Sequence, residues 1–241
     1  MNTFDNARSR RAFLRSGLTL GSAMVLGSCA SQVIGDKTAM TGPAINPRMP
    51  KAPVPPAPQT ASAIAKAPTA PRGVRPELFQ RALAALDSHG DRIAKRDVIA
   101  LADFTPFSAK PRLQVINLED GTMHEMLVAH GSGSDPSHSG YLHSFSNVPN
   151  SNSTSEGAFL TSNFYVGKHG KSQRLDGLDP TNNNARARAI VIHGAWYANA
   201  DMIEKHGMLG RSQGCFAVGE PHRDKVFAML GEGRLLFAGK V

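Results

Sequence analysis

The placement of proline constrains this chain more than any other feature. Nine of its sixteen prolines fall between Pro43 and Pro71, in a stretch of Pro, Ala, Ser and Thr with no apolar periodicity. Proline withholds a backbone donor and fixes one dihedral, so neither a helix nor a central strand can run through such a segment. Its apolar surface is also too small to offset the entropy of ordering it. Residues 29–75 therefore read as an extended linker, with a reach on the order of 100 Å at ~3 Å per residue in polyproline II geometry. A packed core has to be built from residues 76–241, a length suited to one domain.

Residues 1–28 read as an address. Ser9-Arg10-Arg11-Ala12-Phe13-Leu14-Arg15 has the twin-arginine pattern. The apolar stretch from Leu18 to Leu26 is too short and too rich in Gly and Ser to span a bilayer, which fits a processed signal. Leu26-Gly27-Ser28-Cys29 resembles a lipobox, whose cysteine is lipidated and becomes the first residue after processing. The plainer alternative is a basic signal region with an incidental cysteine. Ala30, where Asp would favour retention, resembles the pattern of lipoproteins sorted to the outer membrane. The expectation is a protein on the periplasmic face of that membrane, held in outer-membrane lipid through Cys29. Removing residues 1–28 takes away Arg8, Arg10, Arg11, Arg15 and Asp5, leaving 23 basic against 18 acidic side chains, or +5. With no long Lys/Arg run, this moderate charge argues against nucleic acid as a partner.

Beyond Pro76 the periodicity is informative. Glu77 to Leu86 sets Leu78, Phe79, Ala82, Leu83 and Leu86 on one helical face. Asp97 to Phe104 reads as a short helical or extended piece. Leu113 to Leu118, the turn Glu119-Asp120-Gly121 and Thr122 to Ala129 read as a β-hairpin. His130 to Gly157 is a long loop of Ser, Asn, Gly and His, of a length usually functional or mobile. Further strands are expected at Phe159–Val166, Ala189–His193, Phe216–Val218 and Leu235–Ala238, with helices near Asp201–His206 and Pro221–Leu230. The fold class is α+β, a β-rich core with peripheral helices.

Cys215 and His193 carry the chemistry. With Cys29 capped by lipid, Cys215 is the sole remaining thiol, so it can form no internal disulfide in an oxidising compartment. It ends the turn Gly210-Arg211-Ser212-Gln213-Gly214-Cys215 before the apolar Phe216-Ala217-Val218. His193 lies 22 positions upstream, at the end of the apolar run Ala189-Ile190-Val191-Ile192. Each falls where a strand gives way to a loop, where rigid scaffolds present reactive groups. A thiol becomes an effective nucleophile when a base or cation raises its thiolate fraction. The bland alternative is a buried structural cysteine and an unrelated histidine.

The flanking residues decide between them. Asn184-Ala185-Arg186-Ala187-Arg188-Ala189-Ile190-Val191-Ile192-His193-Gly194-Ala195 and Leu209-Gly210-Arg211-Ser212-Gln213-Gly214-Cys215 resemble the YkuD-like murein L,D-transpeptidase catalytic domain. Arg174-Leu175-Asp176-Gly177-Leu178 resembles a narrower bacterial branch with Arg-Ser-x-Gly-Cys. The resemblance covers roughly residues 77–241. It implies a mixed β-sandwich and acyl transfer on peptidoglycan tetrapeptide stems, with no cofactor. Cys215 would form the thioester, His193 would act as general base, and D-alanine would leave. A second stem's amine then resolves the thioester as a cross-link, whereas water would make the enzyme an L,D-carboxypeptidase. The N–H groups around Gly214 and Cys215 are the candidate oxyanion donors, and Ser212 shapes the turn. In the family a backbone carbonyl commonly orients the imidazole. One departure stands out: the wider family carries His where this chain has Gln213.

Arg174, Arg186 and Arg188 are candidates for binding a stem carboxylate, with structural pairing to Asp176 or Asp179 as the alternative. Tyr141, Asn147 and Asn163 are further candidates to line a cleft, and Trp196-Tyr197 to wall it. His124, His130, His138 and His143 match no compact ligand spacing and read as solvated, so no metal is expected. Three readings remain open: a transpeptidase, a thiol hydrolase on peptidoglycan stems, and a non-catalytic peptidoglycan-binding lipoprotein. The intact His193/Cys215 pair speaks against the third.

Overall fold

The computed structural model describes residues 68–241; the leader, Cys29 and the linker up to residue 67 lie outside the described residues. Helix α1 (Pro76–Ser88) opens with proline in its first turn, where the missing N–H has no intrahelical partner to lose. It buries Leu78, Phe79, Ala82 and Leu86, while Leu83 is only partly covered. Contacts extend upstream of the helix: Val74 is buried, and Gln80 Nε2 donates to Pro68 O at 3.1 Å. Packing therefore begins a few residues before Pro76.

The strands are β1 (Val98–Asp103), β2 (Leu113–Asn117), β3 (Met123–Met126), β4 (Val128–Ala129), β5 (Gly157–Gly167), β6 (Gly170–Gly177), β7 (Val191–Gly194), β8 (Phe216–Val218) and β9 (Leu235–Gly239). They form one sheet in the order β3-β2-β1-β9-β5-β6-β7-β8-β4. The β1–β9 and β7–β8 pairs are parallel and the other neighbours antiparallel, so the sheet is mixed. Its two ends, β3 and β4, are separated in sequence by Leu127 alone. One extended segment can occupy both ends only if the sheet curls until its edges meet. The enclosed core accordingly draws on every strand, including Ala100, Val115, Met126, Val128, Phe159, Leu175, Ile192, Phe216 and Leu236. Helix α3 (Arg223–Leu230) adds Val226, Phe227 and Leu230 to it. Outside, α1 covers Ile99, Leu101, Ile116, Ala158, Leu235 and Phe237. The expected two layers are thus supplied by a single folded-over sheet, and the fold is α+β.

Three local readings change. Asp97 to Phe104, ambiguous between helix and strand, contains β1; it is buried on both faces, so its apolar run shows no alternation. Strand β7 starts at Val191, two residues later than expected, because Ala189 adopts the left-handed conformation with φ of 54°. The helix expected from Pro221 begins as a 3-10 turn over Glu220–His222 and becomes α3 at Arg223. Helix α2 (Asp201–His206) lies between β7 and β8 in the chain, and Gly207 ends it at φ 76°.

Candidate active site

Alternation along the two parallel strands aims the candidate pair. Ile192 and Phe216 are register partners and both face the enclosed core. Their neighbours His193 and Cys215 therefore face outward, onto the surface over β6, β7 and β8. Both line the same cleft, of about 570 Å³. Its walls include Tyr165, Lys168 and His169 from the β5–β6 hairpin, Asn150 and Asn152 from the long loop, and Arg188, Tyr197, Arg211 and Gln213.

Local geometry prepares each member of the pair. His193 Nδ1 lies 2.9 Å from Gly194 O. A carbonyl can only accept, so the neutral ring carries its proton on Nδ1 and keeps the Nε2 lone pair available. The imidazole of His169 stacks on the His193 ring at 4.2 Å between centroids and 20° between planes. Burial pushes the His193 pKa down, the Gly194 carbonyl pulls it back, and the positive charges of His169 and Lys168 push it down further. Cys215 is half-buried, and its Sγ–H donates to Ala189 O at 3.5 Å. Burial pushes this thiol up, while the Val191 N–H, Lys168 and Arg188 pull it down.

The turn before Cys215 is tightly specified. Gly214 has φ of 109°, and a Cβ there would lie 2.6 Å from Ser153 O, so both conformation and space require glycine. Ser212 Oγ donates to Cys215 O at 2.7 Å and accepts the Gly214 N–H at 3.1 Å. Ser212 thus ties the turn together. The same bond corrects the expectation for Gly214: its N–H is already engaged and is not a free oxyanion donor.

Of the three candidate carboxylate-binding arginines, one lines the cleft. Arg188 Nη1 donates to Ser146 O (2.8 Å) and Ser155 Oγ (2.6 Å), and Nη2 to Ser151 Oγ (3.1 Å) and Ser153 O (2.6 Å). It laces the long loop to the segment that leads into β7. Arg186 is away from the cleft lining, paired with Asp176 at 3.1 Å. The guanidinium of Arg174 lies over the Tyr165 ring at 4.1 Å. Tyr141 packs on Phe107, Asn147 bonds Asn183 and Pro180, and Asn163 lies against Arg186, so none of these three lines the cleft. Tyr197 does form a wall, and Trp196 beside it is 65% exposed.

The histidines of the long-loop region go to separate places. His130 is buried, contrary to the solvated reading, with Nε2 3.4 Å from Asp135 Oδ2; burial, with Arg112 nearby, brings its pKa down to about 4. His138 Nε2 lies 3.0 Å from Leu209 O, His143 Nε2 2.7 Å from Ser139 Oγ, and His124 Nδ1 3.3 Å from Lys225 Nζ. Among the described residues no group of three potential metal ligands assembles.

Sequence reasoning missed Lys168 and His169. The available signal was Gly167-Lys168-His169-Gly170, two glycines bracketing a polar pair after an alternating run, which is a two-residue hairpin turn.

Several solved structures are similar to this chain. An L,D-transpeptidase from Mycobacterium smegmatis is 13% identical, with 59% of this chain and 58% of that chain covered and a TM-score of 0.36. One from Stackebrandtia nassauensis is 17% identical, covering 61% and 57%, at 0.36. One from Mycobacterium tuberculosis is 13% identical, covering 59% and 57%, at 0.38. The chain spans less than two thirds of the length of each. No curated protein matches it in sequence. The family model described as "L,D-transpeptidase catalytic domain" matches residues 70–238, well over half of the chain. The chain belongs to the L,D-transpeptidase catalytic domain family.

Proposed function

We propose that the protein is a murein L,D-transpeptidase that acts on peptidoglycan tetrapeptide stems through a Cys215 thioester, with His193 as general base. The observation that carries this reading is the pair itself. Cys215 and His193 line one cleft, and the Nδ1–H bond to Gly194 O leaves the His193 Nε2 lone pair to accept a proton. In the first half-reaction Nε2 takes the Cys215 proton, and Sγ attacks the carbonyl of the third stem residue. The tetrahedral oxyanion collapses, the bond to D-alanine breaks, and His193 returns the proton to the departing amine. An amine of a second stem then attacks the thioester, forming a new amide and restoring the thiol. With the Gly214 N–H held by Ser212, we assign the oxyanion to the Cys215 N–H. Gln213 is exposed in the cleft lining.

Water in place of the second amine gives a carboxypeptidase, and the same cleft would serve either. The test is muropeptide analysis of the purified protein with tetrapeptide-bearing disaccharides. Cross-linked dimers support transpeptidation, tripeptides alone support hydrolysis, and no change sinks both. Location is proposed from the leader: twin-arginine export, lipid on Cys29 and a place at the periplasmic face of the outer membrane.

A further inference from the structure

The charged side chains lining the catalytic cleft are of one sign. Lys168, Arg188 and Arg211 are there, joined by His169, and no Asp or Glu is among the lining residues. Such a cleft favours an anion beside the reacting thiol. The three cations are not equally available. Arg188 spends both terminal nitrogens on four acceptors in the loop 146–155. Arg211 Nη1 is held by the carbonyls of Asp135 and Pro136. Among the described residues, no hydrogen bond or ion pair engages the Lys168 ammonium. It stands exposed at the tip of the β5–β6 hairpin, beside the His169 ring that stacks on His193. Its charge is felt at both Cys215 and His193, so it lies within electrostatic reach of both reacting groups.

We propose that Lys168 is the specificity-determining cation of the cleft, which binds a peptide substrate's terminal carboxylate on the leaving side of the carbonyl that Cys215 attacks. This rests on the transpeptidase reading for the natural substrate. In a stem whose last residue leaves, the free carboxylate sits one residue beyond the scissile amide. An ammonium on a two-residue turn is a mobile point charge suited to that task. The arginines proposed from sequence are committed elsewhere: Arg174 to an aromatic ring, Arg186 to Asp176, and Arg188 to the loop.

A matched pair of alkylating agents tests this without any turnover. Iodoacetate and iodoacetamide both lose iodide to the Cys215 thiolate and differ mainly in charge. Because thiolate fraction affects both equally, the ratio of their rates reports the field felt by a carboxylate beside Sγ. In Lys168→Met at low ionic strength, the iodoacetate to iodoacetamide ratio should fall by about threefold or more. Lys168→Arg should restore most of it, and added salt should lower the wild-type ratio toward the Lys168→Met value. An unchanged ratio in Lys168→Met overturns the proposal. The second arm compares a tetrapeptide stem with its C-terminal amide. Wild type should favour the acid, and Lys168→Met should lose that preference through KM, so that acid and amide are then turned over alike. If wild type turns over neither stem, the transpeptidase reading fails, and the alkylation ratio alone decides the role of Lys168.

Discussion

His193 carries its proton on Nδ1, so in the proposed mechanism Nε2 is the base for as long as the ring is neutral. Burial and the charges of His169 and Lys168 hold its pKa below the usual 6.5. The charged ring appears only at lower pH, and the acid limb of Cys215 acylation should lie below that of free imidazole. His169→Ala removes a positive neighbour and uncovers the ring. Both effects raise the His193 pKa, so the limb should move to higher pH; a pH series of acylation rates, followed by intact mass, reads the shift. His193→Ala should slow acylation by about two orders of magnitude or more, whereas His143→Ala, whose Nε2 meets Ser139, should leave the rate near wild type. Cys215→Ala should take up no mass from a carbapenem under conditions that acylate wild type. An adduct on that variant would move the nucleophile elsewhere. Cys215 and His193 were singled out in the sequence because their flanking residues resemble a family motif, and both line one cleft. Arginine availability was readable only in part: pairing to Asp176 was an alternative that Arg186 takes up, whereas the Arg188 bonds to residues 146–155 depend on partners more than thirty residues away.

Strands whose buried positions are mostly apolar were legible, and β6, which buries two adjacent polar side chains, was not. β2, β5 and β9 show their apolar positions plainly. β6 reads Gly-Lys-Ser-Gln-Arg-Leu-Asp-Gly, with Ser172 and Gln173 buried. The Gln173 amide nitrogen donates to two backbone carbonyls, Ser162 O and Gly231 O. No sequence pattern announces such a pairing. The long loop was recognised as an element, but its ordering depends on Arg188. Its four bonds to residues 146–155 should be cut to one or two in Arg188→Lys, since an ammonium cannot reproduce the guanidinium fork. The expected outcome is faster backbone hydrogen exchange across 146–155 and a loss of about 2 kcal/mol in denaturant unfolding. Exchange unchanged in that loop would show that the clamp is incidental. Gly214→Ala should cost about 1–3 kcal/mol from backbone strain alone. It should also displace Cys215, which is checked by comparing its unfolding midpoint and its acylation rate with those of wild type.

Across the whole molecule, the leader and linker remain expectations from sequence, since they lie outside the described residues. Arg10→Lys with Arg11→Lys should block export, and Cys29→Ala should shift the protein from the membrane to the soluble periplasmic fraction with acylation intact. Recovery of wild type only in the soluble fraction, with Cys29 unmodified by mass, would remove the anchor and leave the catalytic reading standing. The curled sheet has a bearing on this arrangement. Its terminal strands, β3 and β4, are four and two residues long and belong to one segment interrupted only at Leu127. Open sheet edges are where separate chains add strands to one another and begin to aggregate. Copies held side by side on a surface would meet far more often than copies free in solution. Here each copy offers a neighbour almost no edge to extend, so if the proposed anchor holds copies at a membrane, crowding there would raise local concentration without nucleating intermolecular sheets.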